Sequence, residues 1–191
     1  IFPSIFLYLL ISLPFYALID FSWKYKDDFD LPDLLNDNQF LYNALSIIRF
    51  LCFSYFFIQL KLPFKGKWQW LIPALYIAFV IYNFLFLESF KTFSNYTHLL
   101  ESALILFYCL AYYIRILKSD QVAIFTRPEF WFITGICLYE AVNLPIFMYY
   151  SKLGGLDEKF AIDLWNVHNI VYIILCLFLA KGFYESAKQR Y

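Results

Sequence analysis

Long apolar runs separated by short polar connections set the pattern of this chain. Six runs, about 1–19, 40–60, 68–87, 98–117, 130–150 and 162–183, are apolar over lengths that suit a helix crossing a bilayer. Such a crossing spans about 30 Å of hydrocarbon and takes roughly 17–25 helical residues. Barrel strands would alternate apolar and polar positions over about ten residues, and these runs do not. The connections have loop character. "DFSWKYKDDFDLPDLLNDNQ" is acidic and holds Pro32, while "KLPFKGK" and "SKLGGLDEK" combine charge with proline or glycine. Pro73 and Pro145 fall inside runs and mark expected kinks, which membrane helices tolerate. The pattern predicts an all-α, polytopic transmembrane helix bundle forming a single domain over 1–191. The chain opens "IFPSIF" without methionine, so further residues are expected ahead of Ile1; one more helix there would make seven spans.

Composition narrows the class. Hydrophobic residues make up 62% of the 191 and charged residues 16%, against about 25% charged in soluble domains. A formal net charge of zero gives no electrostatic case for nucleic acid. Cys52, Cys109, Cys137 and Cys176 lie inside apolar runs at wide spacing, as buried small hydrophobes do. Trp23, Trp68, Trp70, Trp131 and Trp165 stand near run ends, as an interfacial belt would place them.

Lysine and arginine then set the expected orientation. Nine of them (Lys61, Lys65, Lys67, Arg115, Lys118, Arg127, Lys181, Lys188, Arg190) fall on one side and five (Lys24, Lys26, Lys91, Lys152, Lys159) on the other. The positive-inside rule makes the first side, with the carboxyl terminus, cytoplasmic. The expected location is a bacterial inner membrane, crossed several times.

Candidate chemistry rests on the few polar residues inside the runs. Arg49 and Glu140 each lie about 15 Å from a run end by helix rise, near the midplane. A lone charge there costs about 2.5–3.5 kcal/mol on the insertion scale, so the two are expected to face inward as a structural ion pair. Toward the external side lies a second layer. His98, Glu101 and Ser102 share a helical face, Asn143 follows Glu140 by a turn, and Trp165, His168, Asn169 and Tyr172 give the last run a polar side. Asn43 and Asn83 add to that layer from the second and third runs. The site expected from this layer is a ligand-binding cavity lined by His98, Glu101, Asn143, Trp165, His168 and Asn169. The bland alternative is hydrogen bonding between helices. His98 and Glu101 with His168 also form a conceivable zinc set. No phosphate loop, GxSxG elbow or HExxH is present, and neither catalytic residues nor a cofactor or bound metal are assigned.

The stretches "NYTHLLESALILFYCLAYYIRIL", "PEFWFITGICLYEAVNLPIF" and "LWNVHNIVYIILCLFLAKGF" carry a family pattern. Its features are the Glu101–Ser102 pair, Pro128-x-Phe130-Trp131 opening a span, and Trp165-x-x-His168 beginning the last. In these the chain resembles the small uncharacterised seven-helix membrane proteins of Bacteroidota-type bacteria. The pattern has an acidic residue in the second span, where this chain has Arg49 in "SIIRF". The resemblance implies a seven-span fold in the inner membrane and a sensory or signalling accessory role.

Together these readings favour a non-enzymatic membrane protein that senses a small ligand or docks a partner and passes the signal to another protein. Two alternatives stand beside it: an accessory subunit of a larger membrane complex, and a metal-dependent intramembrane hydrolase. The expected partners are the lipid bilayer and another membrane protein.

Overall fold

The computed structural model describes residues 3–25, 38–62, 66–118, 124–153 and 158–189. Most of the acidic connection, 26–37, and parts of the other loops lie outside the described residues, as does the side chain of Trp23. Six long helices are present: α1 (Pro3–Tyr25), α2 (Gln39–Gln59), α3 (Leu71–Phe86), α4 (Asn95–Leu117), α5 (Pro128–Leu153) and α6 (Glu158–Lys188). All six are long and apolar enough to cross a membrane, α3 together with the 3-10 turn Gly66–Trp70 before it. Among the described residues there is no strand. The chain is a helical membrane bundle.

Helix boundaries follow local chemistry. α4 begins three residues earlier than the apolar pattern predicts, because Ser94 caps it by accepting a hydrogen bond from Thr97 N at 3.2 Å. Pro73 does not interrupt α3. It sits in the first helical turn, where a missing N–H has no intrahelical acceptor to lose. Pro145 lies inside α5 and Pro14 inside α1.

The helices pack mainly as α5 on α6, α4 on α5, α1 on α2 and α2 on α4. Ser12 Oγ lies 3.3 Å from Tyr172 OH, and the Tyr16 and Tyr172 rings are 4.6 Å apart, so α1 also meets α6. Five helices thus close a ring, with α3 against α4 and α2 at its outside. α2 presents Asn43, Ser46, Phe50, Phe53 and Phe57 on one buried stripe at three- and four-residue spacing. Phe57 stacks on Tyr108 at 4.9 Å and Phe50 on Tyr76 at 3.8 Å. Such rings each remove about 150–250 Å² from lipid or water and fill the bundle interior toward the 60–66 end. Toward the opposite end, where α3 turns into α4, the interior becomes polar.

Candidate functional site

Arg49 stands midway along α2, and its side chain is 3% exposed. Its guanidinium meets Glu101 of α4 as a fork, Nε to Oε1 at 2.6 Å and Nη2 to Oε2 at 2.8 Å. Two parallel charge-assisted bonds of this kind are the strongest pairing a carboxylate makes in proteins. Nη1 donates to Tyr139 OH at 2.8 Å, and the guanidinium lies 5.2 Å from that ring's centroid. Ser46, one turn before Arg49, donates to Glu101 Oε2.

Glu140 was the partner expected from sequence. Its Oε1 is 3.6 Å from Arg49 Nε, outside hydrogen-bond range, and Oε2 accepts from Ser102 at 2.7 Å. Arg49 therefore serves two carboxylates, with Glu101 the direct one. Helix direction explains the preference. Side chains lean toward the N-terminus of their own helix. The N-terminus of α2 lies at the 87–94 end, so Arg49 leans toward Glu101, near the start of α4. α5 runs the other way, so Glu140 leans from the midplane in the opposite direction.

Beyond this triad the imidazoles complete the layer. His168 Nδ1 is 2.7 Å from Asn143 Oδ1, and Asn143 Nδ2 donates to Tyr139 O at 2.8 Å. With its amide nitrogen on a carbonyl, Asn143 offers only an acceptor to His168, which fixes the proton on Nδ1. Trp165 stacks on His168 at 4.6 Å. His98 is buried beneath Phe93, whose ring stacks on it at 4.5 Å, and faces Phe147 at 4.8 Å. Neither of its nitrogens makes a hydrogen bond; Nδ1 stands 3.7 Å from Glu101 Oε2.

Of the six residues expected to line a cavity, His98, Glu101, Asn143 and His168 are buried together between α4, α5 and α6, and Trp165 borders them. Asn169 does not join them. One step round α6 from His168, it is exposed on the outer surface of the bundle. Asn43 and Asn83 also do other work. Asn43 Nδ2 donates to Phe90 O and Thr92 O and its Oδ1 accepts from Ser94 N, at 2.7–3.0 Å, tying down the α3–α4 loop. Asn83 Nδ2 approaches Glu88 and Ser94 on the same loop and Thr97 in the first turn of α4, at 3.0–3.1 Å. That loop delivers Phe93 over His98.

The zinc set weighed from sequence falls on geometry. Among the described residues no three His, Cys, Asp or Glu side chains are placed to hold a metal ion. Sequence reasoning passed over Ser46 and Tyr139, although each stands beside a charged residue already singled out, Ser46 one turn from Arg49 and Tyr139 next to Glu140. Comparison with protein-family models, with curated proteins and with solved structures returns no match.

Proposed function

We propose that this chain is a non-enzymatic multi-pass membrane protein of a bacterial inner membrane. It takes up a small ligand or a partner's contact in the polar half of the bundle and passes the change to another membrane protein. The observation that carries this reading is Arg49 shared between Glu101 and Glu140, three buried ionisable side chains on three different helices. Their fork, their distances and the helix contacts around them depend on what neutralises the second carboxylate. A switch of this kind works by a local charge event that biases helix packing. The motif resemblance to the seven-helix proteins of Bacteroidota-type bacteria supports the same reading, with the carboxyl terminus in the cytoplasm.

Hydrogen exchange on the chain in lipid nanodiscs tests it. The Glu101→Gln variant is expected to change amide protection at the Pro128 end of α5, about 18 Å along the helix from Glu140. Changes confined to the turns around residues 49, 101 and 140 would mark a purely structural cluster and end the proposal.

A second reading, an accessory subunit of a larger complex, is favoured by one feature of α6. Asn166 and Asn169 are exposed within a span, where an isolated chain would hold their amides against lipid. Polar side chains in that position bond to neighbouring helices. A photo-crosslinker at position 169 distinguishes them: a discrete protein adduct supports the subunit reading, and lipid adducts alone oppose it.

A further inference from the structure

We propose that the Arg49–Glu101–Glu140 cluster is a binding site for one exchangeable proton, reached from the 87–94 end through His98. This deepens the functional reading above and rests on it for its biological meaning, although the site is testable alone.

The argument is a charge count fixed by geometry. Arg49 is the single permanent cation in the cluster, and Glu101 uses it fully through two bonds, with Ser46 on Oε2 as well. Glu140 is fully buried, takes its one hydrogen bond from the Ser102 hydroxyl, and holds Oε1 at 3.6 Å from Arg49 Nε without a hydrogen bond, so it has only the outer share of a guanidinium already forked to Glu101. A second uncompensated carboxylate in a water-excluded bundle is unfavourable, so one positive charge is missing. A proton is the smallest that fits. It converts Glu140 to a neutral carboxyl and leaves the fork between Arg49 and Glu101 intact.

Among the described residues, the groups packed around the carboxylates supply no further permanent positive charge. Tyr8 and Tyr16 approach from α1 and Tyr76 from α3. Cys109 of α4 and Cys137 and Tyr139 of α5 lie nearby. All are neutral at ordinary pH in their unperturbed forms. His168 has Nδ1 committed to Asn143. His98 differs, since both its nitrogens are buried without a hydrogen bond and one lies 3.7 Å from Glu101. It can accept a proton on a lone pair and release one from its other nitrogen to Glu101, restoring its own neutral form; Glu101 then yields a proton to Glu140, whose Oε1 faces the same Arg49 Nε as Glu101 Oε1, and returns to the carboxylate of the fork. Phe93 is the ring between His98 and the loop, so its movement opens or closes that route.

Infrared difference spectroscopy on the full chain in nanodiscs tests the site, comparing buffers at about pH 5 and pH 8, the window in which histidine changes charge. The wild type is expected to show the carbonyl stretch of a protonated carboxylic acid, shifted on exchange into D₂O. The band should be lost in Glu140→Gln, persist in Glu88→Gln, and exchange several-fold more slowly in His98→Phe. Absence of the band in wild type overturns the proposal, as does its survival in Glu140→Gln. A melting temperature that rises with sodium but not with choline, without the band, also overturns it in favour of a metal cation. If Glu140→Gln fails to fold, Glu140→Asp replaces it, expected to shift the band's frequency; an unmoved band overturns the assignment. A band present alongside purely local hydrogen exchange would keep the proton site while ending the signalling role.

Discussion

Glu101 and Glu140 share one arginine but do not share it equally, and that inequality governs what substitutions do. Replacing Glu101 strips the fork from Arg49 and leaves a buried guanidinium with Tyr139 OH and a carboxylate at 3.6 Å. Breaking a buried pair on one side typically costs about 3–5 kcal/mol. Replacing Glu140 by glutamine removes a carboxylate that has only Ser102 as donor, a loss of about 1 kcal/mol on the scale of an ordinary hydrogen bond. Thermal unfolding in mild detergent should therefore rank Glu101→Gln well below Glu140→Gln, with Arg49→Leu lowest, since it strands both acids. Equal losses for the two glutamates would show that the fork is not the principal pair. A double-mutant cycle of Arg49→Leu with Glu101→Leu should give a coupling larger than the cycle with Glu140→Leu. The histidines respond separately. Asn143→Leu deprives His168 of its one hydrogen-bonding neighbour among the described residues and should cost about 1–3 kcal/mol in the same assay, as a buried donor left without an acceptor does.

At the level of helices, two features set geometry, one a cap and one a pair of small residues. Ser94 accepts from Thr97 N and donates to Glu88, which in turn lies 3.0 Å from Asn83. Ser94→Ala should cost about 1 kcal/mol, the usual value of an N-cap, and speed hydrogen exchange in the first turn of α4. No change in that turn would show the cap to be idle. Gly135 and Gly182 let α5 and α6 approach closely: an added Cβ would lie 2.5 Å from Phe178 Cβ at the first and 2.6 Å from the Phe132 ring at the second. Gly135→Ala should therefore destabilise by about 1–3 kcal/mol, the usual range for overpacking, because the clash is with a Cβ that cannot swing away. An unchanged melting temperature would contradict so tight a contact. The spans themselves were readable from their apolar length, and the buried charges from the cost of placing them there. Their pairing was readable only in part: Arg49 does face Glu140, at 3.6 Å, but its closer fork to Glu101 was not foreseen. Depth counted from apolar run ends placed Arg49 level with Glu140, whereas Cβ direction, which depends on whether a helix runs up or down, tilts it toward Glu101. Asn169 was misplaced for a related reason. It follows His168 directly, and on a helix that single step of about 100° carries it from the interior to the outer surface.

Across the whole molecule, the buried polar network occupies one half of the bundle, so orientation decides which compartment the network addresses. α2, α4 and α6 begin at the polar end, where the 87–94 loop closes over His98 through Phe93. By the positive-inside rule the lysines and arginines of the opposite end, nine against five, predict that this opposite end is cytoplasmic. On that prediction the polar half faces outward, and the proposed proton route through His98 would open to the external medium. Cysteine accessibility checks this directly in a background with Cys52, Cys109, Cys137 and Cys176 replaced by alanine. Ser89 and Ala187 are both exposed and at opposite ends, and neither carries a charge that would bias insertion. In intact cells a membrane-impermeant maleimide is expected to label Ser89→Cys and to spare Ala187→Cys until the membrane is opened. The reverse pattern would turn the polar half, and with it the mouth of the proposed proton route, to the cytoplasm.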